Sequence, residues 1–232
     1  MYHQVISNGN PDSLCITVNE MEKHLKYIGD NGYSCITVQQ LIDHHYQNAP
    51  LPNKPILLTF DDGYRNNFTN LYPLLLKYNL KATIFLNPFY ITQSVEEEKE
   101  ILSVEEINQM DSGYIEWGLH TYRHQSYNDL SLKEIVVDTE QIIAWFHQKE
   151  IPFVPAHAYT YGAFPKKDAD KQNAIVDILN ASGVQLAFRI GNRLNKLPLN
   201  YPYQVQRIDI LGIDSFDKFK RKLKYGAKYL LF

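Results

Sequence analysis

Cysteine is scarce in this 232-residue chain: only Cys15 and Cys35 occur, too few for a disulfide framework and too far apart for a zinc knuckle. Buried free thiols are the expectation. No run approaches the roughly 18 consecutive apolar residues of a membrane helix, so no span is expected. The opening MYHQVI lacks the basic-then-apolar order of a secretion signal and reads as a strand. An excess of one charge is also missing. With 23 Lys and Arg against 26 Asp and Glu, mixed along the chain, the net charge is −3 and no basic stripe points to nucleic acid. Internal repeats and low-complexity tracts are absent, which excludes solenoids and linker arrays. What remains is 44% hydrophobic content in 232 residues, enough for one large core, so a single domain over 1–232 is expected.

Helix starts are marked by S/T-x-x-E/Q pairs, in which a hydroxyl accepts from a free helix N–H and the acid or amide reaches back. Thr17/Glu20, Thr37/Gln40, Ser103/Glu106 and Ser131/Glu134 place helices from about residues 18, 38, 104 and 132. Met21, Leu25 and Ile28 give the first its apolar stripe, and Gly32 a stop. Between the helices lie short apolar runs suited to strands buried on both faces: PILLTF (55–60), ATIFL (82–86), IPFVPAHAY (151–159), VQLAFRI (184–190) and YQVQRIDI (203–210). Strands alternating with helices imply parallel pairing and right-handed crossovers. About seven candidates favour a barrel over an open doubly wound sheet. Proline-rich 48–55 is expected to be a loop, and acidic 94–100 a solvated loop or helix start.

Two segments carry chemistry. In LLTFDDGY (57–64) an apolar strand runs into Asp61 and Asp62, where like-charge repulsion and desolvation disfavour both anions unless a cation compensates. An Asp-Gly turn with a capping aspartate is the ordinary alternative. In YIEWGLHTYRH (114–124), His120 and His124 are four apart, a spacing that on a helical turn puts both imidazoles on one face. Thr121 stands where an H-E-x-x-H zinc protease has its glutamate, which argues against that class. Two ends of parallel strands share a rim, where such folds build sites. Two histidines and one carboxylate make a metal site with open positions, leaving the other carboxylate free as a base.

TFDDGY with HTYRH resembles the polysaccharide deacetylases of carbohydrate esterase family 4, the NodB-homology family; AYTYGAFP (158–165) is similar to its third motif. MYHQV, GYSCITVQQLI and the proline-bearing lead into TFDDGY resemble the branch acting on poly-N-acetylglucosamine exopolysaccharide. The resemblance implies an α/β fold, a distorted (β/α) barrel of about seven parallel strands, with 1–232 as one catalytic domain. It makes Asp62, His120 and His124 ligands of a divalent ion, zinc first, with cobalt, nickel or manganese as alternatives. Asp61 becomes the general base, and Tyr161 gives its backbone N–H to an oxyanion hole. Tyr64, Tyr122 and Tyr159, next to the motifs, are candidate substrate contacts.

The pattern departs in two places. Many members carry an arginine where this chain has Ala158, and a late histidine as general acid, whereas none follows His157 here. His3, matching a histidine of the exopolysaccharide branch, is the first candidate for the acid, and His157 its rival, although a strand whose side chains alternate faces equally suits His157 as a packed core histidine. Arg207, Asp129 and Asp209 read as ordinary ion-pair residues, and His24, His44, His45 and His147 as surface residues. The implied activity is N-deacetylation of an N-acetylglucosamine polymer, with peptidoglycan or chitin oligomers, or a weakly active carbohydrate-binding scaffold, as alternatives. Such a substrate implies action at the cell surface or beyond, with any signal or anchor outside this chain; a cytoplasmic location is the alternative.

Overall fold

The computed structural model describes residues 1–93 and 100–227, so all of the acidic run 94–100 except Glu100 lies outside the described residues. Its strands are β1 (Gln4–Ile6), β2 (Cys15–Thr17), β3 (Ser34–Cys35), β4 (Pro55–Ile56), β5 (Thr59–Asp62), β6 (Ala82–Leu86), β7 (Ile115–Leu119), β8 (Ala156–Ala158), β9 (Leu186–Ile190) and β10 (Val205–Arg207). Its α-helices are α1 (Val18–Asp30), α2 (Val38–Gln47), α3 (Tyr72–Tyr78), α4 (Pro88–Gln93), α5 (Val104–Gln109), α6 (Leu132–Gln148), α7 (Ala169–Ala181) and α8 (Phe216–Tyr225). Strands β5 to β10 pair in chain order, all parallel, in one six-stranded sheet, the main wall of a distorted (β/α) barrel.

The seventh position is filled by the chain's first residues rather than by a full strand. Tyr2 N–H donates to the Thr59 carbonyl at 2.9 Å and Asp61 N–H to the Tyr2 carbonyl at 3.0 Å. On the other side Met1 N donates to Ile208 O at 2.9 Å and Ile210 N–H to Met1 O at 3.2 Å. The N-terminal segment therefore stitches the β5 edge to the chain just beyond β10. After Tyr2 it changes partner, and β1 pairs with β2 in a separate two-stranded sheet.

The four helix starts fall at Val18, Val38, Val104 and Leu132, each behind its hydroxyl cap. The last three have the full reciprocal capping box, whereas at Thr17 only the hydroxyl half is made. Helix α2 is capped a second time: the Glu116 carboxylate accepts from Val38 N at 2.6 Å and Gln39 N at 3.2 Å. A β7 carboxylate at a helix N-terminus meets its unpaired N–H groups and the positive end of its dipole. Alternation along the strands divides the core. Phe85, Ala156, Ala158, Phe188 and Val205 pack with Val38, Leu41 and Ile42 of α2, while Ile84, Leu86 and Ala187 pack with α1, α3, α6 and α7.

Several strand expectations shrink. The run 55–60 splits into β4 and a main strand that starts at Thr59 and contains both aspartates, and 151–159 contributes only Ala156–Ala158. His24 is not a surface residue: 1% exposed, it stacks on Phe219 at 3.7 Å and accepts or donates a 3.1 Å hydrogen bond with the Tyr2 hydroxyl. The thiols are free but only half-buried.

Candidate active site

Every residue of the site stands on the C-terminal rim of the sheet, where the strands stop and the chain turns. At the end of β5, Asp62 has φ 77° and Gly63 φ 76°, so two successive left-handed residues turn the chain sharply past the two carboxylates. Left-handed backbone recurs at Thr121, His124 and Tyr161, all in the motif turns. Non-glycine residues rarely adopt it, at a cost of about 1–3 kcal/mol each, so neighbouring contacts must hold them there. For the His120–His124 turn those contacts are explicit. Asn87, wholly buried after β6, donates to the Thr121 carbonyl at 3.1 Å, and the Thr121 and Thr160 hydroxyls share a 2.9 Å hydrogen bond. Asp138 on α6 accepts from Tyr122 N–H at 2.9 Å. The two imidazoles therefore converge through an irregular braced turn, not through the helical turn their spacing suggested.

Asp62 Oδ1 lies 3.0 Å from His124 Nε2 and 3.3 Å from His120 Nε2, and those atoms form a group able to hold one metal ion. At metal–ligand distances of about 2.0–2.1 Å, ligand atoms on one ion sit about 3.0 Å apart at octahedral and about 3.4 Å at tetrahedral angles. The observed edges fall in that interval. The His120 ring also presents the right nitrogen: Nδ1 lies 2.8 Å from the Ala158 carbonyl, which can only accept, so Nδ1 carries the proton and Nε2 a lone pair. Asp62 Oδ1 is buried and takes no directed hydrogen bond despite the nearby rings. Three lone-pair atoms facing one another fit a cation, and the donor set suits zinc.

Burial works against both carboxylates but loses. Asp62 is held far below the ordinary carboxylate range by His120 and His124. Asp61 is held below it mainly by Arg207, with contributions from His120 and His3. Burial likewise opposes the protonated His120 imidazole, yet Asp61 and Asp62 raise its proton affinity. The same negative field favours a cation between the ligand atoms.

Asp61 does not share the histidines. Its carboxylate, 2% exposed, is gripped bidentately by Arg207 at the end of β10, Nη1 to Oδ1 at 2.6 Å and Nη2 to Oδ2 at 2.8 Å. The guanidinium lies 5.6 Å from the centre of the Phe85 ring. Arg207 is an ion-pair residue, as the sequence suggested, but its partner is the candidate base. A charged residue ending a strand of the same parallel set was the available signal.

His124 is flanked by Tyr161, ring centroids 5.0 Å apart, and by Tyr90 at 5.4 Å. Tyr161 is 68% exposed, so its ring borders open solvent beside the triad. Its turn depends on Gly162, where a Cβ would meet Ile190 Cγ1 at 2.1 Å. Burial and the Asp62 carboxylate raise the Tyr64 phenol well above its usual range. Tyr122 is half-buried against the core. Tyr159 departs from expectation: 1% exposed, with its hydroxyl donating to the Tyr203 carbonyl at 3.1 Å, it packs in the core and not in a groove. His157 is also core, fully buried against Tyr127 at 5.1 Å, both ring nitrogens unpartnered, and burial lowers its pKa to about 3. A general acid must hold a proton near neutral pH, so His157 is no rival to His3, which is partly exposed next to the residue paired with β5.

A family model for polysaccharide deacetylases matches residues 48–175, just over half of the chain and all of both motifs. The chain belongs to the polysaccharide deacetylase family. Bacillus subtilis YxkH, which carries a polysaccharide deacetylase name, is 38% identical over 131 residues, 56% of this chain and 44% of that protein. The match thus spans less than half of that relative. Poly-beta-1,6-N-acetyl-D-glucosamine N-deacetylase of Staphylococcus aureus is 20% identical over 211 residues, 87% of this chain and 69% of that protein. In fold, the deacetylase PplD of Streptococcus pyogenes superposes with a TM-score of 0.80 at 19% identity, covering 96% of each chain. Among the described residues no helix is long and apolar enough to cross a membrane.

Proposed function

We propose that this member hydrolyses the acetamide groups of an N-acetylglucosamine polysaccharide, poly-β-1,6-N-acetylglucosamine or a similar exopolysaccharide, around one divalent ion held by Asp62, His120 and His124. The observation that carries the reading is the difference between two adjacent carboxylates: Asp62 lies against two imidazoles, and Asp61 is gripped by Arg207. An ion bound at the triad supplies Lewis-acid polarisation of the acetamide carbonyl. Zinc is the first candidate for it.

The chain's own groups do the rest. Asp61, kept ionised by Arg207, accepts the proton of the attacking water; each carboxylate oxygen spends one lone pair on the guanidinium and keeps another for the water. The Tyr161 N–H, aimed by left-handed backbone and Gly162, donates to the developing oxyanion, a contribution of typically 10²–10³-fold for one such donor. His3 protonates the leaving amine. Tyr161, Tyr64 and Tyr122 border the place where a sugar ring would lie.

The reading as a catalytically weak binding scaffold rested on Ala158 standing where many members have arginine and on the absence of a late histidine. Arg207 supplies a guanidinium to Asp61 from a different strand, which answers the first ground; the second is answered only by His3 acting as the acid. The name of the Staphylococcus aureus relative supports the polymer, and action on such an exopolysaccharide, at the cell surface or beyond, is proposed with it. The residues 1–232 are proposed to act as one catalytic domain. Acetate release is the test: the zinc-, cobalt- or nickel-loaded protein is expected to liberate acetate from poly-β-1,6-N-acetylglucosamine faster than from chitin oligomers or peptidoglycan. No release from any of the three overturns the reading.

A further inference from the structure

His3 sits where the chain changes partners. Tyr2 pairs with β5, its N–H on Thr59 and its carbonyl on Asp61, whereas Gln4 already belongs to β1, with its N–H on the Leu14 carbonyl at 3.1 Å. The peptide between these pairings has no ladder to complete, and its part-buried carbonyl needs a donor from elsewhere. Its donor comes from the segment just after the paired aspartates. Asn67, 0% exposed, opens a π-helical turn (Asn67–Leu71), and its Nδ2 donates to the His3 carbonyl at 2.9 Å. Single π-turns place side chains that a regular helix would rotate away.

The neighbouring asparagines hold the chain farther along. Asn66 Oδ1 accepts from Val5 N–H at 3.0 Å, and Asn70 Nδ2 donates to the Val5 carbonyl at 2.6 Å. Only Asn67 reaches His3 itself. Three residues separate Asn67 from Gly63, so one short stretch presents the base, an ion ligand and the clamp on the candidate acid.

We infer that Asn67 is a positioning residue for His3: its amide fixes the His3 peptide at the partner switch and so sets where the imidazole stands relative to Asp61. The inference rests on the reading of His3 as the general acid. Asn67 touches no reacting atom in this account and acts only through His3.

A double-mutant cycle on the full, metal-loaded chain tests it, with acetate release from poly-β-1,6-N-acetylglucosamine as the rate and metal content and circular dichroism measured alongside. Asn67→Ala is expected to lower kcat by roughly tenfold or more, since sub-ångström misplacement of a catalytic group has effects of that order. Metal content should not change. In a His3→Ala background the same substitution should change kcat by less than about twofold, because the group it positions is gone. Asn70→Ala, which removes a comparable hydrogen bond from Val5, serves as the control and should leave kcat unchanged. Asn67→Ser, too short to reach His3, replaces Asn67→Ala in the cycle if the alanine variant does not fold. A loss that persists undiminished in the His3→Ala background overturns the inference alone. Unchanged turnover in His3→Ala, with Asp61→Asn inactive, overturns the acid assignment and the inference with it.

Discussion

The triad and the base pocket share one rim yet are assembled differently. Asp62, His120 and His124 all fall within residues 48–175, the part matched by the family model, at the ends of β5 and β7 with β6 between them, and the histidine turn is braced by Asn87, Asp138 and Thr160. The ion-pair partner of Asp61 and the proposed acid come from outside that part: Arg207 is 146 residues away, and His3 arrives on the segment that bridges β5 and the chain after β10. On the proposed function, ion binding is built from nearby strand–turn motifs, whereas proton handling is built by closing the barrel. A change that loosens closure should harm the second function and spare the first.

The largest effect expected is at the triad. Asp62→Ala, His120→Ala and His124→Ala each remove one of the three proposed ligands and should lower bound metal severalfold or more, with turnover reduced by at least about 10³-fold, as for loss of Lewis-acid and orienting roles together. Metal analysis after dialysis, beside acetate release, checks this; full occupancy in all three variants would break the ligand assignment.

Arg207 probes the other half. Replacing it with Met leaves the Asp61 anion buried without its partner, and removing one member of a buried pair typically destabilises by about 3–5 kcal/mol. Urea denaturation should show that loss while metal content holds, and Arg207→Lys should recover only part because an ammonium lacks the two-pronged fit. Equal metal loss in Arg207→Met and His120→Ala would erase the distinction between the regions.

The legibility of the molecule follows the same division. Helix starts were readable because capping is local, four residues at a time, and the aspartate and histidine pairs were readable because they interrupt apolar strands. Arg207 was not, since nothing in QRID names a partner on β5 until the sheet curls. Nor was the geometry of His120 and His124, because left-handed Thr121 and His124 are set by Asp138 and Asn87, not by their own preferences. Tyr159 misled because residues beside a motif on a strand alternate faces: with His157, for which that alternation already allowed a core position, it turns into the aromatic core.

That core sets a pH dependence. In the unfolded chain His157 binds a proton near its ordinary value of 6.5, whereas burial in the folded state delays this to about 3. Between those values the unfolded state holds more protons, so stability should fall as pH drops below 6.5, at up to about 1.4 kcal/mol per pH unit, and level off near 3. His24, lowered by burial to about 4, acts in the same direction. His157→Phe should flatten the decline of the urea midpoint between pH 6.5 and 4.5 without lowering it at pH 7; an unchanged slope would move the origin elsewhere. The smallest effect belongs to Tyr159→Phe, which removes one hydrogen bond and should destabilise by about 1 kcal/mol with KM unaltered. A raised KM would return Tyr159 to the substrate groove.

The central claim is that two neighbouring aspartates hold separate offices, and metal stoichiometry of Asp61→Asn tests it most directly. One equivalent of zinc retained, with acetate release abolished, is the expected result. Loss of the ion from Asp61→Asn, or its full retention in Asp62→Asn, would contradict the account.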